Sequence, residues 1–160
     1  MSDRVDTLVV GSGISGLLFA LKMAQSGSVL VLTKSSRSIT NTGKAQGGIA
    51  AAWREGDSWQ AHLEDTLTAG AGLCRREVVE MVVKKGPAAV QELIDRGCEF
   101  DRRDDDYDLH REGGHSARRI LHSKDWTGAE IMRALLAAVD AEPNIEIREN
   151  QMVVDLITAG

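Results

Sequence analysis

Aromatic residues are scarce in this chain, at 4% of 160 residues. That leaves no interleaved stacking platform for single-stranded nucleic acid. Proline occurs twice, so no polyproline linker or stalk divides the chain. Cysteine also occurs twice, as Cys74 and Cys98, with neither a CxxC pair nor the even ladder of a disulfide-stapled secreted domain. Two thiols without paired spacing fit a reducing compartment, and the cytoplasm is the expected location. Long hydrophobic runs are missing. Leu8-Val-Val10 is too short for a signal-peptide core or a membrane span, so no membrane partner is expected. Neither sign of charge dominates. A formal net charge of −5 disfavours a phosphate-backbone binder, and no nucleic-acid partner is expected. The basic pairs Arg75-Arg76, Lys84-Lys85 and Arg118-Arg119 read as solvated surface.

What is present is an ordinary globular composition, 42% apolar and 27% charged, with 16 glycines. The length suits one domain with a real core and excludes two full ones. Asp6–Gly11 is a nearly continuous apolar run and predicts a short buried strand. Leu17, Leu18, Leu21 and Ala24 recur at helical spacing and predict a helix from Ser15 to about Ser26, with Gly27 as its stop. Ser28–Thr33 predicts a second strand, so the chain opens with a βαβ unit and a parallel sheet. Residues 34–52 are rich in Ser, Thr, Asn and Gly without a period, as functional loops are. A helix is expected over Ser58–Ala69. Arg75–Lys85 and Pro87–Arg96 predict two helices broken at Gly86. Residues 99–111, with the acidic run Asp104–Asp106, read as a solvated loop. Thr127 and Glu130 form a capping-box pattern opening a helix that ends before Pro143. Strands are expected at Ile145–Arg148 and Val153–Thr158.

Gly11-Ser12-Gly13-Ile14-Ser15-Gly16 matches G-x-G-x-x-G at the join of the first strand and helix. Gly11 permits a tight turn, Gly13 lets backbone approach a pyrophosphate, and Gly16 lets helix and strand pack closely. The helix start then offers free N–H groups to the phosphates. An acidic residue that would hold ribose hydroxyls is missing from the end of the second strand, where Thr33 and Lys34 stand. The fingerprint does not separate FAD from NAD. The loop Asn41-Thr42-Gly43-Lys44-Ala45-Gln46-Gly47-Gly48 follows the second strand closely enough to fold back over a cofactor, its paired glycines permitting close approach.

The Gly11–Gly16 motif, the Leu-Thr-Lys strand end and the Ala45–Ala51 loop together resemble the succinate dehydrogenase/fumarate reductase flavoprotein superfamily. The resemblance implies an α/β fold, a Rossmann-like FAD-binding domain with a parallel sheet, and hydride exchange between flavin and a dicarboxylate. Asn41 stands where the membrane-complex members carry a flavin-linked histidine, which implies non-covalent FAD. His110-Arg-Glu112-Gly-Gly-His115-Ser-Ala-Arg-Arg-Ile-Leu-His122 resembles the corresponding stretch of the L-aspartate oxidase family, as does Trp59–Gly72. Glu112 then becomes the substrate-orienting group, a carboxylate to face the ammonium that distinguishes aspartate from succinate.

On this resemblance the expected activity is oxidation of L-aspartate to iminoaspartate, with O2 or fumarate as acceptor. That reaction is a first step of NAD biosynthesis, with a functional link to quinolinate synthase. The implied cofactor contacts are Gly11 to Gly16, Lys34 and Asn41 to Gly48. Family members are several hundred residues long, so the chain is expected to be an N-terminal portion, inactive alone. Its expected parts are a 4–34 βαβ unit, a 35–56 flavin-contacting loop, a 57–126 helical insertion, and a helix with strands over 127–160. His110, His115 and His122 match no familiar zinc spacing, and no metal is expected. Ser116 lacks a nucleophile elbow. Two alternatives stand beside this reading: a soluble fumarate reductase or succinate dehydrogenase flavoprotein, and a non-catalytic FAD-binding module.

Overall fold

A computed structural model describes residues 4–158. In chain order the elements are β1 (Thr7–Val10), α1 (Ile14–Met23), β2 (Val29–Leu32), β3 (Ile49–Ala50), α2 (Trp59–Ala69), α3 (Arg76–Asp95), β4 (Arg102–Arg103), β5 (Asp106–Tyr107), β6 (Ile120–Leu121), α4 (Thr127–Asp140) and β7 (Ile145–Arg148). They fall into two compact units. One joins the chain up to Ala45 with the chain from Gly128 onward, and the other is continuous from Gln46 to Thr127.

The first unit is built on a parallel sheet of order β1-β2-β7. Thr7 pairs with Val29 on one side of β2, and Val29 with Ile145 on the other. The expected βαβ start and parallel sheet are therefore present. Val9, Ala20, Ala24, Val29 and Val31 form the core, with Met23, Ile145 and Ile147 packed on it. β1 is not buried on both faces as its apolar run predicted: Val9 is buried, while Leu8 and Val10 are 45% and 60% exposed. Successive strand residues point to opposite faces, and α1 covers the Val9 face.

α1 ends at Met23, with the Ala24 N–H donating to the Ala20 carbonyl. Gly27 is not its left-handed stop. A Cβ there would collide with the Asp6 carboxylate, which accepts from both the N–H and the hydroxyl of Ser28 at 2.8 and 2.7 Å. Glycine leaves room for this clip between the chain before β1 and the chain before β2. The Ser28 hydrogen bonds hold the Asp6 carboxyl below its usual range.

α4 buries Ile131, Met132, Ala134, Leu135 and Val139. Thr127 is already its first helical residue, so the reciprocal cap expected with Glu130 is replaced by other contacts. The Thr127 hydroxyl accepts from the Ser123 N–H at 3.1 Å, and Glu130 pairs with Arg133. The strand expected at Val153–Thr158 is absent. Asn150 takes φ +57°, the Gln151 N–H donates to the Thr33 carbonyl at 2.9 Å, and the residues beyond pair with no strand among the described residues. A strand needs a ladder partner to satisfy its backbone.

In the second unit the expected helix forms as α2, its first turn capped by Ser58, whose Oγ accepts from the Ala61 N–H. α3 corrects another expectation, since one helix runs through Gly86 and Pro87. Val83, Val90 and Leu93, on both sides of the break, are buried on one face. Burial of that continuous stripe outweighs the one hydrogen bond that proline removes. The acidic run does not sit in a plain loop. β4 and β5 form a small hairpin pairing Arg102 with Tyr107 and Arg103 with Asp106, and Asp104 takes φ +57° at its turn. β3 and β6 pair antiparallel.

Candidate functional site

Gly11 leaves β1 with φ +102°, a conformation costly for any residue with a Cβ. Its N–H still donates to the Leu32 carbonyl at 2.8 Å, so the turn is tied to β2. A Cβ on Gly16 would overlap the Gly11 carbonyl, which accounts for the third glycine by strand–helix contact. α1 begins after Gly13 with no side-chain cap from that residue. Its first amide, that of Ile14, donates to the Thr42 hydroxyl at 3.2 Å. Ser15 is exposed beside it.

A cleft of about 550 Å3 opens on this turn, lined among others by Gly11, Gly13, Lys34, Asn41, Thr42 and Lys44. The structure thus brings Gly11, Gly13, Lys34 and the start of the following loop together in one unit. The segment has local reasons for its path. Thr40 Oγ1 accepts from the Gly43 N–H, and the Asn41 and Thr42 carbonyls accept from Lys44 and Ala45. The Ala45 carbonyl accepts from the Gly128 N–H at 3.0 Å. Gly128 has to be small, because a Cβ would overlap the Thr42 carbonyl.

Thr33, at the place of the missing acid, is engaged within the chain. It is buried, and its hydroxyl lies 3.1 Å from that of the equally buried Ser12, which also reaches the Arg37 carbonyl. Ser12 and Thr33 lock the turn to the strand end internally. Lys34, exposed on the cleft, is left as the polar group facing outward there.

Gln46, Gly47 and Gly48 belong to the second unit. Gly47 has open space where a Cβ would sit, as close approach of a ligand requires, whereas a Cβ on Gly48 would collide with Ile120 and the Leu121 carbonyl. Gly48 is explained by the tight β3–β6 pairing.

Glu112 is exposed on a turn in which the His115 N–H donates to the Glu112 carbonyl and Gly114 takes φ +86°. The loop from Arg111 to Arg118 leaves and returns at one place, since His110 and Ile120 form an antiparallel bridge. Its inner side is held by a group the sequence reading missed. Arg119 is fully buried and bonds Asp57 through Nε and Nη2 at 2.9 and 2.8 Å and Asp65 through Nη1 at 2.6 Å. Asp65 also accepts from the N–H and hydroxyl of Ser116, both at 2.7 Å. Burial raises the Asp65 carboxyl, but the Ser116 and Arg119 hydrogen bonds outweigh it and hold it at about 2. Burial opposes the Arg119 charge, yet Asp57 and Asp65 raise its affinity for the proton. Arg119 is thus no part of a solvated basic pair. Its signal was its place immediately before the apolar Ile120-Leu121 pair.

The three histidines of this segment divide. His110 stacks on His122, with ring centroids 3.7 Å apart, while His115 tilts against His62 at 5.7 Å. Burial, followed by the charge of Arg119, lowers His62 below the usual histidine range.

The FAD binding domain family matches residues 6–160. The chain belongs to that family, and FAD is its cofactor. Its similarity extends to particular enzymes. It is 47% identical to the L-aspartate oxidase 2-b, chloroplastic, of Nicotiana tabacum over 154 residues, 96% of this chain and 24% of that protein. It is 46% identical to the L-aspartate oxidase of Vibrio cholerae serotype O1 over 161 residues, 97% of this chain and 30% of that protein. Among solved structures, the Mycobacterium smegmatis Sdh1 complex in the apo form matches with a TM-score of 0.84 and 33% identity, over 91% of this chain and 27% of that one. A variant of the E. coli quinol fumarate reductase FrdA matches at 0.87 and 29%, over 92% and 26%. The chain therefore spans 24% to 30% of the length of these relatives. No helix among the described residues is long and apolar enough to cross a membrane.

Proposed function

We propose that this chain is the FAD-gripping portion of an L-aspartate oxidase, an enzyme that converts L-aspartate to iminoaspartate with O2 or fumarate as final acceptor. The observation that carries the reading is the cleft at the start of α1, where the Gly11–Gly13 turn, Lys34 and Asn41–Lys44 converge. Gly13 presents bare backbone there, and the helix start adds its partial positive charge for a pyrophosphate. Lys34 and Lys44 add cationic groups to the same cleft. FAD, when bound, supplies the acceptor for the hydride lost from the substrate Cα.

The chain's own contribution to substrate choice is Glu112. A carboxylate at the rim of the loop opposes the substrate ammonium, which costs several kcal/mol to desolvate without a partner. Asp65, Ser116 and Arg119 hold the loop that carries it. Asn41, which has no imidazole, leaves the flavin non-covalent. The product would feed NAD biosynthesis through an enzyme of the quinolinate synthase type, in a cytoplasmic setting.

Two measurements test this. Titrating the 160-residue chain with FAD is expected to perturb the flavin absorbance and quench its fluorescence, with all flavin released on acid precipitation and no aspartate oxidation by the chain alone. In the complete enzyme, Glu112→Gln is expected to lower kcat/KM for aspartate at least tenfold while fumarate reduction persists. Equal loss of both reactions would instead favour the dicarboxylate reading, which the structural likeness to fumarate reductase keeps open.

A further inference from the structure

Asp108 and His110 are two residues apart on one extended segment and share a face. The bridge between His110 and Ile120 sets Asp108 across from His122 in the antiparallel register. One ligand atom from each of Asp108, His110 and His122 lies within 4.8 Å of the others, and His110 Nε2 stands 3.9 Å from Asp108 Oδ2. Three residue types that bind borderline divalent cations therefore meet at the base of the loop.

A second observation points the same way. His122 Nδ1 lies 3.1 Å from Asp101 Oδ2, and that carboxylate is itself fixed by the Lys124 N–H at 2.7 Å. A carboxylate facing Nδ1 at that distance favours the proton on Nδ1 and leaves the lone pair to Nε2. His122 Nε2 is buried and has no hydrogen-bond partner. A buried imidazole lone pair left without a partner is costly, while a carboxylate–histidine pair with a free Nε2 is the arrangement that metal-binding histidines use.

We propose that Asp108, His110 and His122 bind one divalent cation of the Zn2+ class, with Asp101 orienting His122. Two imidazoles and a carboxylate leave a fourth tetrahedral position to water. The His110 side chain is half exposed and has the freedom to turn from its stack onto the ion and close the remaining distance. The bound ion would join the outgoing strand to the returning one and staple the base of the loop carrying Glu112. That consequence rests on the proposed role of Glu112, whereas binding itself does not.

The test is calorimetric titration of the metal-free 160-residue chain with Zn2+ alone, with Co2+ as the optical probe. One equivalent is expected to bind, with visible ligand-field bands for Co2+. His110→Gln and His122→Gln should each weaken binding at least about 100-fold, and Asp101→Asn by about 10- to 100-fold. His115→Gln, the other histidine of the segment, should leave affinity unchanged. His110 is exposed enough for its replacement to keep the fold, which circular dichroism checks, so that variant decides even if His122→Gln unfolds. Zn2+ should also slow amide exchange across residues 111–118. Absence of binding, or binding that survives His110→Gln, overturns the proposal.

Discussion

A methyl group on Gly16 would have to occupy the place of the Gly11 carbonyl oxygen. Gly16→Ala is therefore expected to lower stability by about 1–3 kcal/mol, as overpacking does, and to weaken FAD binding because the phosphate turn shifts with α1. Urea denaturation and flavin titration read the two effects separately. Acid sensitivity belongs at this scale as well. His62 is lowered, so the unfolded chain takes up its proton first, and stability begins to fall as pH drops through about 6.5. Asp65, held at about 2 against an ordinary 3.8, adds stability above that ordinary value and loses it as pH falls towards 2. Its share is about 2 kcal/mol. Denaturation midpoints measured from pH 7 to pH 2.5 should fall in these two stages, and Asp65→Asn should remove the second. Arg119→Met leaves Asp57 and Asp65 facing each other without a cation, and about 3–5 kcal/mol of destabilisation is expected.

Among the elements, α3 carries a defect that its packing tolerates. Pro87 cannot donate to the turn before it, and a proline inside a helix costs about 3 kcal/mol relative to alanine. A Cβ at Gly86 meets only ordinary contacts, with Ala51 and the Ala50 carbonyl near 3.8 and 3.9 Å. Gly86→Ala and Pro87→Ala are both expected to raise the urea midpoint, the first by about 0.5–1 kcal/mol. A drop for either would mean that the helix breaks there in solution. The same helix shows where sequence reading succeeds and where it stops. The first strand, helix and strand were legible because their apolar periods, glycines and spacing are local signals. The continuity of α3 was not, because a rule about one residue was set above a stripe running from Val83 to Leu93. Val153–Thr158 looked like a strand by composition, but a strand exists only where a partner does. In the site, Gly11 and Gly16 were legible from backbone demands. Gly27, Gly48 and Gly128 were not, since the atoms that exclude their Cβ come from residues distant in sequence. Arg119 was hidden in a basic pair, because nothing local announces that two carboxylates lie beyond it.

For the whole molecule, cofactor and stability are linked. Whatever binds only the folded chain stabilises it by mass action, about 2.7 kcal/mol at a hundred times the dissociation constant. Thermal midpoints of the 160-residue chain are thus expected to rise steadily with added FAD, and a Gly11→Ala variant, strained at φ +102°, to respond less. Riboflavin, which lacks the pyrophosphate, tests the same point: a shift equal to that given by FAD would place the grip somewhere other than the phosphate turn.

The central strand β2 pairs on one side with β1, close in sequence, and on the other with β7, whose first residue Ile145 lies opposite Val29. The unit between them in sequence, Gln46 to Thr127, is one unbroken stretch. A chain made from its N-terminus thus delivers β1, α1 and β2 early and then every residue of the second unit. Only afterwards does it deliver β7, the second neighbour of β2. Closing so long a loop is slow compared with local pairing. During synthesis the second unit has all its residues in hand while β2 still shows a bare edge, and that exposed edge is the stage at which the nascent chain is most open to wrong partners.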